Sequence, residues 1–174
     1  MRTPRRLLTV LLVGLLLGAC GGGPTPGAWA ATVCQALGPW RSDIASLTAR
    51  AQQQMAAATT PAQARENMLR LLEGAQQATE TARSRVEAAG VPDVDGGSAV
   101  AQEFQNALAA MRDAYGRART AVDVLATGDA DAFYDGVEAA MATLTEEYDR
   151  SALDTTKISS TELRRAFDEV PECR

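Results

Sequence analysis

A chain of 174 residues with no histidine lacks the commonest general base, the Ser–His and Cys–His nucleophile pairs and the favoured zinc ligand, which excludes conventional hydrolase sites. Its net charge of −5, with Lys157 the only lysine, repels phosphate backbones and argues against nucleic acid as a partner. An apolar content of 46% made mostly of alanine and leucine, with 5% aromatics, favours closely packed helices over sheets, which draw on Val, Ile, Thr and aromatic residues.

The chain opens with Arg2, Arg5 and Arg6, continues as an apolar run from Leu7 to Leu17 broken by Thr9 and Gly14, and reaches Leu17-Gly18-Ala19-Cys20. That run is too short to cross a bilayer, which takes about 20 apolar residues, but it fits the apolar part of a secretory signal ahead of a small-residue cleavage site. The Leu-x-Ala-Cys ending resembles the lipobox of diacylated bacterial lipoproteins, whose cysteine becomes the new N-terminus. The resemblance implies that residues 1–19 are a signal peptide, that Cys20 carries a fatty-acyl anchor, and that the mature protein sits on the outer face of the cell membrane. Loss of the signal leaves 14 basic against 22 acidic residues, a net charge of −8, so electrostatic adhesion to anionic lipid is not expected. With Cys20 lipidated, Cys34 and Cys173 are an isolated pair in an oxidising compartment, and we expect them to form a disulfide.

Residues 20–28, rich in glycine and proline, read as a flexible tether, and residues 29–174 as one helical bundle domain. Apolar residues at Val33, Leu37, Trp40, Ile44, Leu47, Ala51, Met55 and Ala58 alternate by three and four and line one helix face. Gly38-Pro39 interrupts that pattern, which predicts a short opening turn carrying Cys34 and then a long helix to about Ala58. Thr60-Pro61-Ala62-Gln63 predicts the cap of a second helix that buries Ala64, Met68, Leu71, Leu72, Ala75, Thr79, Ala82, Val86 and Ala89 and ends at Gly90, with Val91 folding back onto Val86. Ser98 is the expected cap of a third helix showing Val100, Phe104, Leu108, Met111, Tyr115, Ala118, Val122 and Leu125, stopped by Gly128. Asp129 and Asp131 open a fourth, with a stripe of Phe133, Val137, Met141, Leu144 and Tyr148. Ser159 and Glu162 predict the cap of a short docking helix through Leu163, Ala166, Phe167 and Val170. The fold expected is all-α: an antiparallel up-down four-helix bundle with a short C-terminal docking helix.

Cys34 near the first helix start, Gly38-Pro39-Trp40 with Ile44, and the ending Glu162-Leu163-Arg164-Arg165-Ala166-Phe167 with Pro171 and Cys173 are similar to the small secreted proteins and lipoproteins of actinobacteria whose function is unassigned. The resemblance covers most of the domain and implies a helical, disulfide-closed, envelope-exposed body with no known reaction, so it supplies no catalytic residue. Glu103, Glu138, Glu146 and Glu147 have no histidine companions and read as solvated helix faces. Asp93-x-Asp95-Gly96 and Asp129-x-Asp131 lack the ligand series of a calcium loop and read as turns and caps. No metal and no cofactor are expected. The leading functional expectation is a non-enzymatic lipoprotein that presents a helical surface to another envelope protein or a wall component. The alternative is a carrier with an apolar slot between helices lined by Met68, Met111, Tyr115 and Tyr148, soft or amphipathic side chains on inward stripes.

Overall fold

The computed structural model describes residues 22–57, 60–151 and 158–174. The signal segment and Cys20 lie outside the described residues, as do the expected first helix end at Ala58 and residues 152–157. Every regular element among the described residues is helical: α1 Pro26–Ala57, α2 Pro61–Ala88, α3 Gly97–Asp123, α4 Ala130–Ser151 and α5 Thr161–Glu169, followed by a 3-10 turn, Pro171–Cys173.

Two expectations about the start of the chain are corrected. The helix begins at Pro26, inside the segment read as a tether, and Pro24 already belongs to the fold, its carbonyl accepting from the Asp93 N–H at 2.9 Å. Gly23 lies so close to the turn after α2 that a Cβ there would stand 2.0 Å from the Val91 carbonyl oxygen, so only glycine fits. Further on, α1 runs unbroken through Pro39. A proline inside a helix forfeits one hydrogen bond and costs about 3 kcal/mol. Here Trp29, Ala30, Val33, Leu37 and Trp40, all buried and lying on both sides of the proline, hold the two halves in line through packing.

The second helix matches its pattern closely. Thr60 Oγ1 accepts from the Gln63 N–H at 3.2 Å, Pro61 opens the first turn, and Ala64, Met68, Leu72, Ala75, Thr79, Ala82 and Val86 are buried. Gly90 takes the left-handed conformation, φ 73°, after the helix. Val91 stands about half exposed, and the Gly90 carbonyl accepts from Trp29 Nε1 at 2.9 Å. At the start of α3 the cap is Gly96, φ 75°, in place of Ser98, because Gly97 must pass within van der Waals reach of Pro92 and a Cβ there would lie 2.2 Å from the Pro92 carbonyl. That helix ends at Asp123, five residues before the glycine expected to stop it. Ser160 caps α5, accepting from Leu163 N–H at 3.3 Å, where Ser159 was expected.

Burial divides into two clusters. One joins the first half of α1, Ala82 and Val86 of α2, the first half of α3, Ile158 and α5. The other joins Met68, Leu72 and Ala75 of α2, the second half of α3, and Ala140 and Leu144 of α4. Thus α2 and α3 run through both, while α5 completes one end and α4 the other; α1 and α4 make no close backbone approach among the described residues. The first cluster centres on three rings: Trp29 meets Phe104 and Phe167 edge-on at 5.4 and 5.9 Å, and Phe104 and Phe167 stack at 5.6 Å. Cys34 and Cys173 form a disulfide with their Cα atoms 5.1 Å apart, fastening the C-terminal turn to α1.

Candidate functional site

One groove follows from this division. Because α5 packs on α1 and α4 packs along the second half of α3, the first half of α3 keeps a side that neither covers, and a groove of about 680 Å³ opens there beside the last turn of α4. Its floor is small, with Ala99, Ala107 and Ala110 of α3, so a partner's backbone can approach closely. Gln102 and Asn106 join side-chain amides along one edge, Nε2 donating to Oδ1 at 2.9 Å, and keep further donor and acceptor capacity free to face outward. One end is closed by Arg117 and Glu147, whose fork of hydrogen bonds measures 3.0 to 3.2 Å. The Glu147 carboxylate raises the Arg117 pKa above its ordinary value, so the guanidinium stays charged. From Ala99 to Arg117 the helix offers roughly 27 Å of length at 1.5 Å per residue. Such a surface can hydrogen-bond and ion-pair with an extended or helical partner laid along it.

A second charged constellation lies between α2 and α3. Glu80 accepts from Arg83 at 2.7 and 3.0 Å and from Arg112 at 2.9 Å, and Arg83 also reaches Glu87. Those hydrogen bonds, to Arg83 first and Arg112 next, hold the Glu80 carboxyl down at about 2 from an ordinary 4.5. A carboxylate depressed on folding contributes stability above its unfolded pKa and loses it as pH falls toward the folded value. Side-chain exposure of 39% means that solvent screens the pair, so the effect is modest. Urea midpoints of the wild type and Glu80→Gln should therefore differ at neutral pH and converge as pH falls from about 4.5 to about 2. A gap that persists at pH about 2 would show that the network acts through packing rather than charge.

The four residues expected to line an apolar slot are not assembled into one. Met68 and Tyr115 are buried in the α4 end of the core, Met111 is buried in the α5 end, and none of the four lines a principal cavity. Tyr148, placed on an inward stripe by its spacing, is 38% exposed. The reason is that α4 packs almost wholly on α3, so its buried face narrows to Phe133, Ala140 and Leu144. Burial, and secondarily the neighbouring Tyr148, pushes the Tyr115 hydroxyl up to about 12.

The chain matches no protein-family model, no curated protein and no solved structure.

Asp129 caps α4, its Oδ1 accepting from the Ala132 N–H at 3.1 Å, and Asp93 serves the turn through its backbone, as read from the sequence. Among the described residues no three carboxylates or thiols converge as metal ligands would. Glu103 and Glu147, read as solvated faces, both line the groove, and Glu147 is engaged with Arg117 rather than free. Gln102, Asn106 and the alanines at 99, 107 and 110 carry no sequence signal of a site; only the placement of α4 and α5 exposes them together.

Proposed function

We propose that this chain is a membrane-anchored lipoprotein of the cell envelope, related to the small actinobacterial proteins it resembles, whose helical body binds another envelope protein or a wall component through the α3 groove and catalyses no reaction. The Arg2–Cys20 segment, ending in Leu-x-Ala-Cys, carries the reading. A disulfide joining Cys34 to Cys173 supports it, since such bonds persist outside the reducing cytoplasm. We read the body as an antiparallel up-down bundle of four helices. Support comes from the clustering of the first part of α2 with the second part of α3, and of the first part of α1 with the end of α2.

Mass spectrometry of the mature N-terminal peptide tests the anchor. The expected species begins at Cys20 and carries a diacylglyceryl group, and Cys20→Ala should lose both that mass and partition into a detergent phase. A mature chain without lipid on Cys20 would overturn the lipoprotein reading. For the binding surface, a photo-crosslinking residue at Asn106 on intact cells should yield an adduct that the same residue at Thr81, on exposed α2 surface, does not. Equal yields at both positions would remove the groove from the account.

A further inference from the structure

Resting on the lipoprotein reading, we propose that the acyl anchor holds the body upright, with the turn between α2 and α3, Val91 to Gly96, lying against the headgroups of the membrane. The argument is one of chain length. Gly22 already touches the fold: a Cβ on it would lie 3.1 Å from Asp93 Oδ2. Gly23 is wedged against Val91, and Pro24 is hydrogen-bonded to Asp93. Between Cys20 and Gly22 the chain can extend only roughly 7 Å, at about 3.3 to 3.6 Å per residue. A cysteine whose acyl chains enter the bilayer therefore carries the Val91–Gly96 turn to the lipid surface with it.

The composition of that turn suits the depth. Val91, whose carbonyl meets Gly23, is 49% exposed, whereas Asp93 and Asp95 are exposed and would pay heavily to enter hydrocarbon. They stop the turn at headgroup level. Since the domain is acidic, attraction to anionic lipid cannot be what places it there, and the short leash must do so. The opposite end, where α3 gives way to α4 and Val124 is 76% exposed, then stands away from the bilayer by most of the length of α2, roughly 42 Å for its 28 residues. The α3 groove would open sideways from the membrane-proximal half of the body.

A fluorescent amino acid at Asp95 or at Val124, in the diacylated protein reconstituted into phosphatidylcholine vesicles containing nitroxide-headgroup lipid, tests the orientation. Quenching at position 95 should exceed that at position 124 at least threefold, and inserting twelve Gly/Ser residues between Gly21 and Gly22 should abolish the difference. Equal quenching at the two positions would overturn the proposal, and so would quenching at 95 that survives the longer leash. Failure of the lipoprotein reading is recorded separately, as an N-terminal peptide without the lipid mass.

Discussion

Replacing Cys34 and Cys173 together by alanine should lower the unfolding free energy by about 2 to 5 kcal/mol, read from urea denaturation against the oxidised wild type. The bond spans 139 positions of sequence, and closing so long a loop removes much of the freedom of the unfolded chain; the loop-entropy model puts the upper figure at about 5 kcal/mol. The structure adds a local consequence. Residues from Ile158 onward reach the core mainly by laying Leu163, Ala166 and Phe167 on α1, and the bond is the covalent clamp on that contact. Without it the C-terminal helix should open more readily than the rest, so amide exchange over 161–170 should rise before exchange over the second half of α3, which belongs to the other cluster. Alanine suits the test because Cys34 is buried and a serine hydroxyl there would need a partner. Identical urea midpoints for both proteins would mean that packing alone holds the tail.

The parts of this fold that spacing reveals are those with neighbours on two sides. For α2 and α3, which run through both clusters, the three-and-four alternation marks Met68, Leu72, Ala75, Thr79, Ala82 and Val86, and Val100 through Val122, as buried, and the structure agrees. It misplaces Tyr148, since the pattern cannot say that α4 has little but α3 to lean on. Pro39 misleads for a related reason: local propensity predicts a break, while the burial of Trp29 through Trp40 decides otherwise. Cap positions follow the same rule. Thr60 stands at an isolated corner and is legible, but Gly96 displaces Ser98 because the backbone at Gly97 is pressed against Pro92, a contact between segments that spacing alone does not encode. The groove is the extreme case. Its residues are ordinary solvent-facing ones, and they line one groove only because α5 packs against α1 and leaves that side of α3 open.

Trp29→Ala should cost about 3 to 5 kcal/mol, the range for deleting a large buried aromatic. That is a large share of the roughly 5 to 15 kcal/mol by which domains are stable, so Trp29→Phe is the informative companion. Trp29 is fully buried, donates to the Gly90 carbonyl at 2.9 Å, and touches both Phe104 and Phe167. It therefore joins the start of α1 to the end of α2, to α3 and to α5 at one point. Phenylalanine keeps most of the apolar volume and loses the N–H, which should cost about 1 kcal/mol or somewhat more for the orphaned carbonyl. Trp40, whose Nε1 donates to the buried Thr79 hydroxyl at 3.0 Å, remains as a fluorescent reporter of unfolding in both variants. The same contact steadies the turn at Gly90, so Trp29→Phe should also raise amide exchange at Asp93, whose N–H is spent on Pro24. A Trp29→Phe protein with unchanged stability and unchanged exchange at Asp93 would show that the ring, not its hydrogen bond, does the joining. The placement of the emerging chain would then rest on the close fit of Gly23 and the hydrogen bond to Pro24 alone.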